Sequence, residues 1–251
     1  MIKSARLLSS AVIVLALATG GALSLEGNMF DVAWQSPSGS FLAGRQALSD
    51  LRTEDAARYF NDAALNDWDN PILVERSFIA FAANGQIADS ARVARHLLEL
   101  SSPNDLATLV IGAEALKDRR YGAAARELAN VGGDTYAGIA GSVLRAWALT
   151  GEGKLDEANK LLDTVGQGGL EDFLVFHRAL MAEVAGRSAD ALALGKRAYE
   201  ADPFVARIVE AYTRMLGNAG RFDEASKVIA DFEKQGLNHP LVRAVKAKID
   251  Q

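Results

Sequence analysis

Hydrophobic residues along this chain recur at the spacing of amphipathic helices, and short polar breaks separate one helix from the next. Val93, Ala94 and Leu97, for example, share one face of a helix. The pattern predicts a first helix over residues 71–84 and a second helix over 87–100. The predicted structural unit is therefore a pair of helices joined by a tight turn.

The helix pairs repeat along the chain with a nearly constant period. A phrase ending in Ala or Ser opens each second helix, and its last residue lies at Ala56, Ser90, Ala124, Ala158, Ala191 and Ala225. The steps between these residues are 34, 34, 34, 33 and 34 positions. A fixed period of this length marks a repeat array, in which each unit packs on its neighbours. Small residues are expected at these positions because the two helices approach each other most closely there.

Proline and glycine support the same phase. The five prolines, which lie at or beside a predicted repeat start, are Pro37, Pro71, Pro103, Pro203 and Pro240. None falls in a predicted helix interior, where proline would cost about 3 kcal/mol. The glycines placed at the turn between two helices, where a left-handed backbone is needed, are Gly85, Gly153, Gly186 and Gly220.

These units resemble tetratricopeptide repeats, which are 34-residue helix-turn-helix units with small residues at positions 8 and 20 and a large residue at position 24. Position 8 is occupied by Gly44, Phe78, Gly112, Ala146, Ala179 and Thr213. Position 24 is occupied by Phe60, Ala94, Leu128, Leu162, Gly195 and Ile229. Phe78, Ala94 and Gly195 depart from the pattern, so repeats two and five are degenerate. The resemblance spans residues 36–251 and implies an all-α, right-handed solenoid of about six repeats plus a terminal helix.

The repeats define four segments of the chain. We expect a signal peptide over 1–24, an N-terminal segment over 25–36, six repeats over 37–238 and a terminal helix over 239–251. The terminal helix would either cap the array or begin a seventh repeat of a longer protein. The second alternative is supported by residues 41–45 and 56–60 of the first repeat, which also resemble the N-terminal part of longer exported bacterial proteins of this family.

The N-terminus has the pattern of a secretory signal. Lys3 and Arg6 precede an apolar stretch over 7–18, and Ala22-Leu23-Ser24 is a small-x-small cleavage pattern. The apolar stretch is short for a membrane span, which needs about 20 apolar residues. We therefore expect export to the periplasm with cleavage. An uncleaved inner-membrane anchor is the alternative, and it would be the chain's contact with a membrane.

A cluster of glycines falls around repeats three and four. Its members are Gly132, Gly133, Gly138, Gly141, Gly166, Gly168 and Gly169. The cluster indicates either long turns between repeats or a hinge between two three-repeat blocks.

Composition excludes several classes of function. The net charge of −5 disfavours nucleic-acid binding, which normally shows a basic patch. The chain has no cysteine, so disulfides, thiolate chemistry and lipidation at a cleavage-site cysteine are excluded. The three histidines, His96, His177 and His239, fall in different repeats without a second ligand at metal-binding spacing. We predict no enzymatic activity, no metal and no cofactor, and no small-molecule substrate.

The resemblance places a binding groove on the first helices, at positions 2, 5, 9 and 12. Positions 5 and 9 supply the predicted peptide- or protein-binding residues Ile79, Leu109, Val143, Trp147, Phe176, Leu180, Arg45 and Arg214. The middle of this groove is apolar and its ends are charged, as in a groove that holds a peptide with an aromatic anchor. The alternative is that these residues belong to the core. Arg145 and Arg178 stand at position 7, which should be buried, so the register of repeats four and five leaves this alternative open.

The predicted function is a non-catalytic periplasmic scaffold that mediates protein–protein or protein–peptide interaction in assembly or maintenance of the cell envelope. The Lys and Asn pattern with which family members hold a C-terminal carboxylate is absent. The alternative is a structural protein whose groove is filled by its own segment 25–38 or by a second copy in a homodimer. An accessory subunit of an enzyme would have the same sequence features.

Overall fold

The computed structural model describes residues 36–132, 135–165 and 169–250. These residues form α-helices and no strand. The predicted signal peptide and the segment 25–35 lie outside the described residues. The helices are α1 Pro37–Ser49, α2 Thr53–Asn66, α3 Pro71–Ala83, α4 Ile87–Leu100, α5 Asp105–Lys117, α6 Tyr121–Leu128, α7 Tyr136–Gly151, α8 Leu155–Asp163, α9 Glu171–Val184, α10 Ser188–Ala201, α11 Ala206–Asn218, α12 Phe222–Lys234 and α13 Pro240–Ile249.

The helices divide into two compact units, one ending at Pro103 and one beginning at Asn104. In the first unit, α1 to α4 each pack against the next helix in sequence. In the second unit, consecutive helices also pack together, and the first helices α5, α7, α9, α11 and α13 form a contacting series. The predicted fold class, an all-α helical repeat solenoid, is confirmed. None of the described helices is long and apolar enough to cross a membrane.

One turn joins the two helices of each of the six pairs, and all six turns share a left-handed residue and the same backbone hydrogen bond. The residue with a left-handed backbone is glycine at Gly85, Gly153, Gly186 and Gly220, but it is Leu51 in the first repeat and Arg119 in the third, each with φ of 58°. At every turn the following N–H donates to the carbonyl five residues before it, as from Arg120 to Ala115 at 2.8 Å and from Lys154 to Leu149 at 2.9 Å. This hydrogen bond is typical of a helix that ends on a left-handed residue. The recurrent phrase of the sequence is therefore a helix stop followed by a helix start.

Most first helices carry a side-chain cap at the N-terminus. Ser36, Asn70, Asn104 and Thr135 each accept a hydrogen bond from a backbone N–H in the first turn of the helix, at 3.0 to 3.1 Å. Such caps satisfy one of the free N–H groups of a helix start. The second helices have no side-chain cap and begin directly from the left-handed turn.

The small residues that close the repeated phrase lie in the core. Ala56, Ser90, Ala124, Ala158, Ala191 and Ala225 are all buried. The repeat that carries Ser rather than Ala uses the hydroxyl, which donates to the carbonyl of Phe78 at 2.8 Å. Burial of all six supports the close helix approach that the sequence predicts at this position.

The large residue at position 24 occupies the space left by the small residue at position 8 of the same repeat. A Cβ added at Gly44 would lie 3.0 Å from the ring of Phe60, and one added at Gly112 would lie 2.5 Å from Leu128. Repeat two exchanges the two sizes, because Phe78 at position 8 and Ala94 at position 24 are both fully buried. The repeat that looks degenerate in sequence thus keeps a filled core.

Repeat five departs from the pattern in a different way. Its position 24 is Gly195, and an added Cβ there would lie 2.8 Å from Met215 Sδ and 3.2 Å from Tyr212. Both side chains belong to α11, the first helix of the following repeat. The missing volume is therefore supplied by the neighbouring unit.

The division of the chain into two units falls at Pro103 and Asn104, away from the described glycines of the cluster. Gly138 and Gly141 lie inside α7, so they belong neither to a turn nor to a hinge. An added Cβ at Gly141 would lie 3.0 Å from the Val131 side chain, which explains the need for a small residue there. Gly133, Gly166 and Gly168 fall outside the described residues.

The terminal helix α13 packs on α11 and α12 through Val242 and Val245, which are buried. Its Ile249 also fills the space beside Gly217, where an added Cβ would lie 2.5 Å from Ile249 Cδ1. Leu241 remains partly exposed. These contacts agree with a capping role, and the choice between a cap and the start of a seventh repeat stays a prediction.

Candidate binding groove

An apolar cavity opens between the first helices α7 and α9 in the second unit. Its volume is about 400 Å³. The lining side chains are Tyr136, Ile139, Ala140, Val143 and Leu144 from α7, and Leu170, Phe173 and His177 at and within the start of α9. Tyr136 is 95% exposed and Phe173 is 47% exposed, so two aromatic side chains stand at its edge. We refer to it as the α7–α9 cavity.

A hydrogen bond between Trp147 and His177 fixes one end of this cavity. Trp147 Nε1 donates to His177 Nδ1 at 3.0 Å, and the two rings meet edge-on at a centroid distance of 6.2 Å. The imidazole also contacts Phe173 at a centroid distance of 4.4 Å. Because an indole nitrogen can only donate, His177 Nδ1 must be unprotonated and the ring proton must lie on Nε2.

Burial of the imidazole lowers the pKa of His177 below its ordinary value of 6.5. The cause is desolvation of the imidazole in its apolar surroundings. The neutral form, which the hydrogen bond from Trp147 requires, is therefore also the form that the apolar surroundings favour.

Acidification is expected to reduce the stability of the protein through His177. The unfolded chain takes up a proton at the ordinary pKa, and the folded chain takes it up only at a lower pH. The contribution of His177 to the free energy of unfolding is therefore fully present above pH 6.5. It is lost as the pH decreases from 6.5 through the pKa of His177 in the folded protein. Urea denaturation at a series of pH values should show this loss. His177→Gln should show a shallower pH dependence in the same range, and identical curves for both proteins would contradict the assignment.

The other predicted groove residues of the second unit are divided between cavity and core. Val143 is buried and lines the cavity. Phe176 and Leu180 on α9 are half-buried and pack against the same core as Val143 and Trp147. Leu109 is half-buried and packs against the core of α5, α6 and α7. Val143 thus lines the cavity, whereas for Phe176, Leu180 and Leu109 the choice between groove and core stays a prediction.

Arg214, predicted at the charged end of the groove, is engaged within its own unit. Its guanidinium group contacts Glu183 on α9 and donates to Glu210 on α11, the latter at 2.9 Å. The side chain is only 32% exposed. A partner that used this arginine would have to displace one of two carboxylates.

In the first unit, Arg45 lines a separate cavity of about 460 Å³. Its other lining residues are Phe41, Leu48, Ser49, Phe60 and Arg76. Neither arginine forms an ion pair with another described residue. Ile79 is half-buried on α3 and does not line this cavity.

The arginines at position 7 do not enter the core completely. Arg178 donates to Asp163 at 2.6 Å and lines a cavity between α8, α9 and α10. Arg145 is half-buried, and its Nε is enclosed without a hydrogen-bond partner among the described residues.

The two remaining histidines have structural contacts. His96 stacks on Trp68 at a centroid distance of 4.5 Å, and its Nε2 lies 2.9 Å from the Trp68 carbonyl oxygen. His239 Nδ1 accepts a hydrogen bond from the N–H of Leu241 at the start of α13. Within the described ranges, no group of three His, Cys, Asp or Glu side chains is placed to hold a metal ion.

Of the residues that line the cavity, sequence reasoning named Val143, and it also named Trp147, which donates to the lining residue His177. Val143 and Trp147 stand at positions 5 and 9 of repeat four, where the family resemblance places the groove. Phe173 stands at position 2 of repeat five, which the resemblance also assigns to the groove. The contribution of His177 depends on a contact between residues 30 positions apart, which no local pattern reveals.

The fold of the chain is that of tetratricopeptide repeat proteins. A tetratricopeptide repeat protein from Parabacteroides merdae ATCC 43184 matches 86% of this chain and 84% of its own, at 13% identity and a TM-score of 0.63. PilW, a type IV pilus biogenesis factor, matches 83% of this chain and 97% of its own, at 11% identity and a TM-score of 0.65. PilF of Pseudomonas aeruginosa matches 87% of this chain and 98% of its own, at 15% identity and a TM-score of 0.55. No protein-family model and no curated protein matches the chain.

Proposed function

We propose that this protein is a non-catalytic scaffold that binds an apolar segment of a protein or peptide partner in the α7–α9 cavity. The observation that carries this proposal is the cavity itself, which is about 400 Å³, lined mainly by apolar side chains and bordered by exposed aromatic rings. Exposed apolar surface around a concave site is typical of an interaction surface.

The size of the cavity suits one large apolar anchor. Burying a Leu, Phe or Met side chain contributes about 1.5–3 kcal/mol, which alone gives only weak binding. Further contacts along the first helices are therefore needed, and the candidates are Trp147 on α7 and Phe176 and Leu180 on α9, which are half-buried. A central aromatic anchor surrounded by weaker contacts is the usual arrangement of an interface.

The proposed location is the periplasm, and the proposed partner belongs to the cell envelope. This part of the proposal rests on the signal pattern of residues 1–24, since the likeness to PilW and PilF is a likeness of fold. Cleavage of the signal can be tested by the mass of the mature protein.

Photocrosslinking in the native cell tests the binding proposal. A benzophenone amino acid at position 136 should form a discrete adduct with a second polypeptide, and the same group at position 160, on the exposed side of α8, should not. Phe173→Ser should reduce the adduct by about tenfold because the cavity loses an aromatic wall, an effect of about 1.4 kcal/mol.

Phe204→Ser is the matched control, because Phe204 is 59% exposed and lies outside the cavity. It should leave the adduct unchanged. An adduct between two copies of the chain, or one within the chain to residues 25–38, would support self-association instead. The proposal fails if positions 136 and 160 give the same products.

A further inference from the structure

We propose that the α7–α9 cavity selects an uncharged peptide segment in which an apolar side chain lies next to a backbone carbonyl, and that His177 Nε2–H donates to that carbonyl oxygen. The inference rests on the proposed function of the same cavity. It adds the chemistry of the partner and gives Trp147 a role as a positioning residue, acting through His177.

The first step is the proton position on the imidazole. The indole N–H of Trp147 occupies the lone pair of Nδ1, so Nε2 carries the hydrogen. No described residue forms a hydrogen bond with Nε2. This atom is also absent from the set of unpaired nitrogen and oxygen atoms that the protein encloses. His177 lines the cavity, and the proposal places this unused donor at the cavity wall.

The second step is the absence of charge at the cavity wall in the described part of the chain. Tyr136 is the other titratable side chain that lines it. No described Asp, Glu, Lys or Arg side chain lines it, and the acidic residues nearest to it on α9, Glu171 and Asp172, are exposed at the start of the helix. A charged ligand would lose its hydration here without gaining an opposite charge, so an uncharged segment is favoured.

The third step concerns which side donates in the hydrogen bond between His177 Nε2 and the partner. A partner that offered a donor to Nε2 would require the ring proton to move to Nδ1, where it would face the indole N–H of Trp147. Two donors would then oppose each other at the 3.0 Å separation of these nitrogens. The pair therefore rejects donors and accepts a carbonyl oxygen, which is discrimination by an unfavourable contact as well as by a favourable one.

Two small probes that differ only at the acceptor test this inference. Phenylacetone carries a carbonyl next to a benzyl group, and 2-methylallylbenzene replaces its oxygen by a methylene group. Both are titrated into the full-length protein at neutral pH and followed by NMR of the His177 ring nitrogens and the Val143 methyl groups. Relative to the ratio of their partition coefficients between water and an apolar solvent, phenylacetone should bind about fivefold more tightly, because one neutral hydrogen bond contributes about 1 kcal/mol.

Trp147→Phe keeps an aromatic ring and removes the indole donor. It should reduce the preference between the probes from about fivefold to about two- or threefold while both still bind, since either nitrogen of His177 can then carry the proton and the donor form is only partly populated. Phe204→Ser should keep the full preference. The wild-type comparison alone decides the matter if Trp147→Phe does not fold.

A ratio of wild-type affinities equal to the ratio of partition coefficients would overturn the inference and leave the apolar cavity intact as a binding site. Nitrogen shifts that place the proton on Nδ1 would also overturn it. If neither probe binds, the inference fails, while the crosslinking experiment separately decides the proposed function.

Discussion

Replacing Phe78 by alanine is expected to lower the free energy of unfolding by about 3–5 kcal/mol. The family pattern calls for a small residue at this position, so sequence comparison alone would predict a neutral or stabilising change. In the structure Phe78 is fully buried, and its carbonyl oxygen accepts the hydroxyl of Ser90. Removing the ring leaves a cavity that the surrounding helices cannot close. Urea denaturation followed by circular dichroism measures the loss.

Phe204→Ala is the control for this prediction, because the same atoms are removed from a side chain that is 59% exposed. It should change stability by less than about 0.5 kcal/mol. A second measurement uses Ala94, which takes the place of the large residue in repeat two. Ala94→Leu should destabilise the wild type by overpacking and should partly restore Phe78→Ala. Equal stability of wild type and Phe78→Ala would contradict the exchanged packing of this repeat.

The fold could be predicted from the sequence because its determinants are local and repeated. The turn between helices is an example, since a glycine signals it in four repeats. The other two turns have Leu51 and Arg119 in the same left-handed conformation. A left-handed backbone in a non-glycine residue has a cost of about 1–2 kcal/mol, so composition argues against it. The period of the small buried residues located these turns nevertheless.

The packing inside the repeats was predictable only in part. Position 8 and position 24 share one space, and what the fold constrains is their combined volume. A pattern that treats each position separately therefore marks Phe78 and Gly195 as defects. The contribution of Met215 to repeat five shows the same limit, because it comes from the next unit along the chain.

The candidate site was predictable where it follows helix periodicity and not where it depends on pairing between repeats. Val143 and Trp147 were found because they stand at groove positions of one helix. Arg214 was also placed at the groove, but the sequence did not show that Glu183, 31 residues earlier, contacts its guanidinium group. The hydrogen bond that sets the proton on His177 is of the same kind.

Leu128→Ala is expected to cost about 2–5 kcal/mol, and Gly112→Ala about 1–3 kcal/mol, yet the double replacement should cost less than Leu128→Ala alone. Leu128 is 1% exposed, and its Cγ and Cδ2 lie 2.5 Å from the point where a Cβ at Gly112 would stand. A methyl group at Gly112 therefore overlaps a side chain that has no space into which to move. When Leu128 is shortened, the same methyl group fills the cavity.

The sign of the Gly112→Ala effect is thus expected to depend on residue 128. Alanine is favoured over glycine in a helix by about 1 kcal/mol, and in the shortened background this preference adds to the filled space. Gly122→Ala is the matched control on α6 of the same repeat, where the nearest contact is the flexible end of Glu152 at 3.0 Å. It should be neutral or stabilising in either background. Additive effects of Gly112→Ala and Leu128→Ala would mean that the two side-chain positions do not share one space, because only residues in contact give a coupling energy of this size.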